Sequence, residues 1–175
     1  PTAIFHYARG MAYLGKGNAD DAKKELNILK KIASKESLKE ITIWEINSVY
    51  ELVQIAYKVL NSEILAQEKN FKQSIILLNE AIVIEDALNY NEPPDWFFSV
   101  RHNLGATQLD AGKYEDAVSI YLQDLKNLPK NGWALKGLSM AYAKLGDLSS
   151  QNETEKRFNE AWQTADIELK SSVVK

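Results

Sequence analysis

The feature that most constrains this chain is a 34-residue period, the separation of Gly112 from Gly146. In "VRHNLGATQLDAGKYEDAVSIYLQDLKNLPKN", Leu104 and Gly105 are followed by Gly112, Tyr114, Ala117, Tyr121 and Pro129. "ALKGLSMAYAKLGDL" repeats the pattern with Leu138, Tyr142, Gly146 and Leu148, and "FHYARGMAYLGKGNADDAKKEL" repeats it with Gly10, Tyr13, Gly17, Ala22 and Leu26. A degenerate copy, "AQEKNFKQSIILLNEAI", puts Lys69 in the turn slot, then Phe71, Ser74, Leu78 and Ala81. A period of this length marks one supersecondary unit that cannot bury its apolar faces alone and must stack on its neighbours.

The recurring residues have mechanical jobs. A small residue at Gly10 or Gly105 lets a second helix cross closely. Gly17, Gly112 and Gly146 end the first helix where a left-handed residue is needed. Ala22 and Ala117 are small where paired helices touch, and Leu26 and Tyr121 fill the gap between them. Pro129 stops the second helix. Each unit reads as a helix-turn-helix hairpin. The chain is therefore expected to be all-α, with about four stacked hairpins and eight or nine helices.

The period and the Leu-Gly…Tyr…Ala…Tyr…Pro pattern resemble the tetratricopeptide repeat, best in 98–131, then in 3–36, and in part in 132–165 and 55–88. The resemblance implies a single solenoid domain over 1–175, a right-handed superhelix of antiparallel hairpins. More narrowly, "EDALNYNEPPDWFFSVRHNLGATQLDAGKYEDA", "NGWALKGL" and "RFNEAWQTADIEL" resemble the C-terminal part of a group of longer bacterial tetratricopeptide proteins with no settled biochemical role.

The spacing is uneven. Gly17 and Lys69 are 52 positions apart, 18 beyond the period, and Lys69 and Gly112 are 43 apart, 9 beyond it. The first excess falls in 34–50. There Ser37 with Glu40 and Ser48 with Glu51 have capping-box spacing, which predicts a short extra helix and then a long one to about Gln67. The second excess is 89–97, within "EPPDWFFSVRH". Pro93 and Pro94 stop a helix, Asp95 is placed to cap the next, and a helix is expected over 96–111. Arg101 stands where the repeat often has Trp, its head within reach of Glu92 or Asp95.

The ends differ from the middle. A capping helix is predicted over 150–169, with Gln151 and Glu155 where the repeat wants Ala and an aromatic, and with Thr154, Phe158, Ala161, Trp162, Ala165 and Leu169 along one face. The first helix carries Ile4, Phe5, Tyr7, Ala8 and Met11 with no cap before it. The expectation is a piece of a longer or processed chain, in which earlier repeats or a second copy cover that face.

Composition bounds the chemistry. A net charge of −3 over 175 residues supplies no basic field to draw in nucleic acid or an anionic membrane surface. No apolar run approaches the roughly 18 residues of a membrane span. Cysteine is absent, so disulfides and thiolate chemistry are excluded, and the compartment stays open. His6 and His102 sit in separate repeats with no metal-ligand spacing. "GMAYLGKG" approaches a phosphate loop but ends in Gly17 rather than a hydroxyl residue, with no strand before it. Ser99 near His102 reads as an ordinary helix residue. Acid pairs such as Asp20/Asp21 and Glu115/Asp116 suit first helical turns. No catalytic residue, metal or cofactor is expected.

By the resemblance, the concave groove is lined from first helices by Tyr7, Met11, Glu63, Gln67, His102, Asp110, Trp133, Lys136, Met140 and Lys144. Aromatics, Met and both signs of charge suit an extended peptide or a partner helix. The chaperone-binding Lys/Asn set is not reproduced, since Ala106 and Met140 occupy its places. The expectation is a non-catalytic scaffold with a protein or peptide partner. The alternative is a small-ligand or enzymatic pocket around Trp96, Arg101, His102 and Asp110.

Overall fold

The structure, a computed structural model, describes residues 2–174. Among them are eight α-helices: α1 (Thr2–Gly15), α2 (Ala19–Ala33), α3 (Val49–Gln67), α4 (Phe71–Ala87), α5 (Val100–Asp110), α6 (Tyr114–Asn127), α7 (Gly132–Leu145) and α8 (Leu148–Trp162). A small antiparallel ribbon, β1 (Thr42–Ile43) and β2 (Asn47–Ser48), pairs Thr42 with Ser48 and Ile43 with Asn47. The chain is an all-α helical repeat whose helices pack in neighbouring pairs. The repeat pattern implies one solenoid domain; the packing separates two compact units, one up to Val100 and one from Arg101 onward.

The hairpin turns carry the register. Gly17, Gly112 and Gly146 have φ of 73°, 74° and 74°, and Lys69, in the same slot, has φ 64°. After each, the chain makes the same closing bond, from Asn18 N to Tyr13 O, Asn70 N to Leu65 O, Lys113 N to Gln108 O and Asp147 N to Tyr142 O, at 2.8 to 3.1 Å. This six-to-one bond satisfies a carbonyl that the helix end would leave unpaired. Lys69 accepts a conformation that favours glycine, and its ammonium lies 5.5 Å from the centre of the Phe71 ring.

Close crossings follow from small residues. Ala22, Ser74 and Ala117, one per second helix, are fully buried. In the first unit, a Cβ on Gly10 would come within 2.6 Å of Leu60 Cδ2. In the second, a Cβ on Gly105 or on Gly137 would come within 2.3 Å of Tyr121 Cζ. The last hairpin replaces this apolar packing with polar bonds: Ser139 Oγ and Gln151 Nε2 donate to Glu155 Oε1 at 3.1 and 2.9 Å.

The two stretches that break the period are bonded to each other. Asn47, 2% exposed, donates from Nδ2 to the Asn89 carbonyl at 2.9 Å and to Asp95 Oδ2 at 2.7 Å, and accepts from Asn89 N at 2.7 Å. Ser48 and Glu51 form the capping box that starts α3. Ser37 starts no α-helix. Glu36–Glu40 is a 3₁₀ turn preceded by Lys35, with no side-chain cap. Residues 89–97 are irregular and include a cis Glu92–Pro93 bond.

Two helix boundaries differ from the sequence-based expectation, and each has a specific hydrogen-bonding cause. The helix predicted to start near Trp96 begins at Val100 because Asp95 is committed to Asn47 and, at 3.0 Å, to Asn91. The Val100 N–H instead donates to the Glu85 carboxylate at 3.1 Å. Glu92 accepts from the Tyr90 hydroxyl. At the other end, α8 stops at Trp162, short of 169. The chain turns with Ala165 N on Trp162 O at 3.1 Å, and the Trp162 indole N–H donates to the Ile167 carbonyl at 2.8 Å.

Candidate interaction face

The ten predicted groove residues separate by burial. In the first unit, Tyr7 on α1 is buried, its ring edge-on to Trp96 and Phe97 with centroids 5.4 and 6.2 Å away. Segment 89–97 therefore folds back over the α1 position expected to face a partner. Burial, and then the Glu63 carboxylate, push the Tyr7 hydroxyl far above its ordinary value, so it stays protonated. Met11 and Glu63 are half-buried, and Gln67 is exposed at the end of α3.

In the second unit, His102 is 2% exposed rather than groove-facing. Its Nε2 lies 3.2 Å from Asp124 Oδ2 and 2.9 Å from Asn131 Nδ2, and Asn131 Nδ2 also donates to Asp124 Oδ2 at 2.9 Å. Asn131 Oδ1 accepts from the Trp133 N–H at 3.1 Å, which fixes the amide orientation and turns its NH₂ toward both partners. His102 Nε2 accepts from that NH₂ when the ring proton is on Nδ1, and donates to Asp124 when it is on Nε2. The trio joins α5, α6 and the start of α7.

The four residues of the alternative pocket fall in different units. Trp96 belongs to the first unit. In the second, Asp110 is exposed at the end of α5, about 12 Å along the helix from buried His102 at 1.5 Å per residue. An open hollow of about 580 Å³ lies over the α6–α7 turn, lined by Asn127, Leu128, Pro129, Lys130 and Asn131. It contains none of the four. Among the described residues, no three His, Asp or Glu side chains gather as metal ligands, and no helix is long and apolar enough to cross a membrane.

What remains is a stripe on α7. Trp133, Lys136 and Met140 are half-buried and Lys144 is exposed; spacings of three and four put them on one face. Gly137 belongs to the same stripe, on its edge toward α6. Aromatic neighbours from α8 steady the first turn. Trp133 meets Trp162 edge-on at 6.3 Å, Phe158 stacks on Trp162 at 6.0 Å, and the Lys136 ammonium lies 5.5 Å from the Phe158 centroid. Hydrogen bonds from Gln151 and Ser139 outweigh desolvation and, with the Lys136 charge, hold the Glu155 carboxyl below its ordinary value. The stripe, with Glu155 of α8 beside it, therefore keeps charge of both signs next to half-buried aromatic and thioether side chains.

The repeat pattern missed two exposed aromatics. Trp44, 82% exposed, stands at the ribbon turn with φ 52°, and Tyr90 is 80% exposed in segment 89–97. Neither occupies a repeat slot. The available signal was location, an aromatic inside each stretch that breaks the period. No protein-family model matches the chain, and no curated protein matches it.

Proposed function

We propose that this chain is a non-catalytic interaction module of tetratricopeptide type, a scaffold that docks an extended peptide or protein segment along first-helix faces. The observation that carries this reading is the α7 stripe. Trp133 to Lys144 spans about 16 Å of helix at 1.5 Å per residue, the length of about five residues of extended peptide. Along that span, Trp133 and Met140 offer apolar contact that adapts to different side chains. Lys136 and Lys144 offer ammonium groups about two helical turns apart, suited to carboxylates on the ligand. The partner that fits is an extended segment with alternating acidic and apolar residues.

A peptide array probed with the whole chain, followed by titration of the best binders, tests this. The double variant Lys136→Glu/Lys144→Glu should weaken binding at least tenfold, and Trp133→Ala should weaken it comparably with less salt dependence, since only the lysine contacts are screened. Binders unaffected by all three substitutions would rule out the stripe. A small-molecule thermal-shift screen run in parallel addresses the pocket alternative. A reproducible shift abolished by Asp110→Ala, with no peptide binding, would replace the interaction reading.

A further inference from the structure

The residues after α8 do more than trail from it. Gln163 to Glu168 are exposed, yet Leu169, Ser172 and Val173 are 4%, 1% and 7% exposed. They lie in no helix or strand. Ser172 is seated at the tip of Tyr121. That ring leaves α6 and ends level with both Gly105 on α5 and Gly137 on α7, where its hydroxyl meets Ser172 Oγ at 2.6 Å. Ser172 Oγ also donates to the His102 carbonyl at 3.2 Å. The second unit therefore already holds an irregular chain segment, with two aliphatic side chains buried and one hydroxyl bonded at the Tyr121 tip, which lies beside Gly137 of the α7 stripe.

We propose that this seat is a peptide-docking site and that segment 167–174 is its resident occupant, which a ligand of the same pattern must displace. The pattern is Leu-x-x-Ser-Val in an irregular chain: an aliphatic anchor, two outward residues, then a small hydroxyl side chain followed by an aliphatic one. Three features support exchange. The polar contacts of the seat are made to one side-chain hydroxyl, which meets Tyr121 and the His102 carbonyl, so another chain with a hydroxyl at that position can reproduce them. The stretch joining the segment to α8 is exposed, and the Trp162 indole bond to the Ile167 carbonyl lies before Leu169, so release from Leu169 onward leaves that bond in place. An irregular segment held at a few points belongs to the least stable part of a fold. The proposal rests on the interaction reading and names its regulation: the stripe gains a full-length ligand only as the resident segment leaves. A competitor in cis lowers apparent affinity by the fraction of time the seat is filled.

The absence of cysteine and the short pattern make the test direct. A fluorescent peptide of residues 166–174, capped at both ends, is titrated into the whole chain and into its Leu169→Asp/Val173→Asp variant. The variant should bind at least tenfold more tightly than the parent, and adding Tyr121→Phe to it should weaken binding severalfold. Backbone amides of 167–174 in the parent should exchange much faster than those of α7. A folded variant that binds no better than the parent overturns the proposal, as does equal binding of a scrambled peptide. Loss of helical signal in the variant, or protection of 167–174 equal to that of α7, would make the segment a fixed part of the core and overturn it as well. A parent dimer that the two substitutions dissolve would assign the segment to a second copy and overturn the cis arrangement. Array peptides that need Trp133 and Lys144 but do not compete with the 166–174 peptide would keep the interaction reading and sink this seat.

Discussion

The two units solve one packing problem with opposite choices. Beside Gly10, the gap is filled by Leu60 from the next first helix, and Leu26 stands in the slot where the other unit has an aromatic. Beside Gly105, the gap is filled by Tyr121 from the same hairpin, and Gly137 stands where Leu60 would be. Two leucines are exchanged for a tyrosine and a glycine. The exchange keeps the space filled and changes what fills it. Leucine ends in mobile methyl groups, whereas tyrosine ends in a rigid ring with a hydroxyl that must find a partner. The first unit thereby closes its gap with apolar contact alone. The second carries a polar group through the gap, and Ser172 meets it.

The sharpest way to break this contrast is to truncate the filler. Tyr121 is fully buried, so Tyr121→Ala should cost about 3–5 kcal/mol, as large aromatic deletions do, and should also leave Ser172 with only its bond to the His102 carbonyl. Leu60→Ala, at an equally buried site, should cost about 2–5 kcal/mol and leave the segment after α8 untouched. Urea unfolding with separate tryptophan probes in each unit reads both. A near-neutral Tyr121→Ala would show that the repeat register is wrong.

Adding a methyl group probes the same gap from the other side. Gly105→Ala drives a Cβ to 2.3 Å from a ring carbon, and Gly10→Ala drives one to 2.6 Å from a leucine methyl. The ring cannot rotate away, so Gly105→Ala should lose about 1–3 kcal/mol by overpacking. At Gly10 the Leu60 methyls can shift, and replacing a mid-helix glycine recovers about 1 kcal/mol, so the change should be close to neutral. Equal losses at the two sites would erase the distinction between the fillers.

The units also differ in how they bury an acid. Glu25 in α2, 5% exposed, takes His6 Nδ1 at 2.6 Å and Arg9 at 2.8 Å. Asp124 in α6 is tied to Asn131 and His102. Burial raises the Glu25 carboxyl, and the bonds from His6 and Arg9 outweigh it, leaving the group below its ordinary value of 4.5. The folded carboxyl therefore releases its proton at lower pH than the unfolded one. Its contribution is complete above pH 4.5 and fades as pH falls through the folded value. Glu25→Gln should cost about 1 kcal/mol at neutral pH, since Arg9 is half in water. The gap between parent and variant should close on acidification to pH 3. A gap that stays constant would remove the ion pair from the account.

Legibility in the sequence tracked distance along the chain. The turn slots, including Lys69, were readable because each demands a left-handed residue and a bond five residues back. The Ser48–Glu51 box was readable for the same reason. His102 was misplaced because its partners lie 22 and 29 residues on. The end of α8 was misplaced because Trp162 and Tyr121 capture groups that no helical period connects to them; Tyr121 and Ser172 are 51 residues apart. The start of α5 was misplaced because Asn47, 48 residues earlier, engages Asp95. Of the candidate face, helical spacing located the α7 stripe, whereas Tyr7 lies beneath a loop whose path no local rule fixes.

The smallest effect concerns a departure from the pattern within the first unit. Ser74 occupies the slot that Ala22 and Ala117 fill in their own hairpins, and all three are fully buried. Its hydroxyl has no hydrogen-bond partner. A buried hydroxyl left unpaired forfeits its bonds to water and gains nothing in return. Ser62, the fully buried serine of α3 in the same hairpin, avoids this by donating to the Val59 carbonyl at 2.7 Å. Ser74→Ala removes the unpaired group and restores the repeat's own residue, and alanine is also the better helix former. The substitution should raise stability by about 1 kcal/mol, whereas Ser62→Ala, which deletes a made bond, should not. If Ser74→Ala destabilises the chain, the hydroxyl has a partner that sets this crossing apart from those at Ala22 and Ala117.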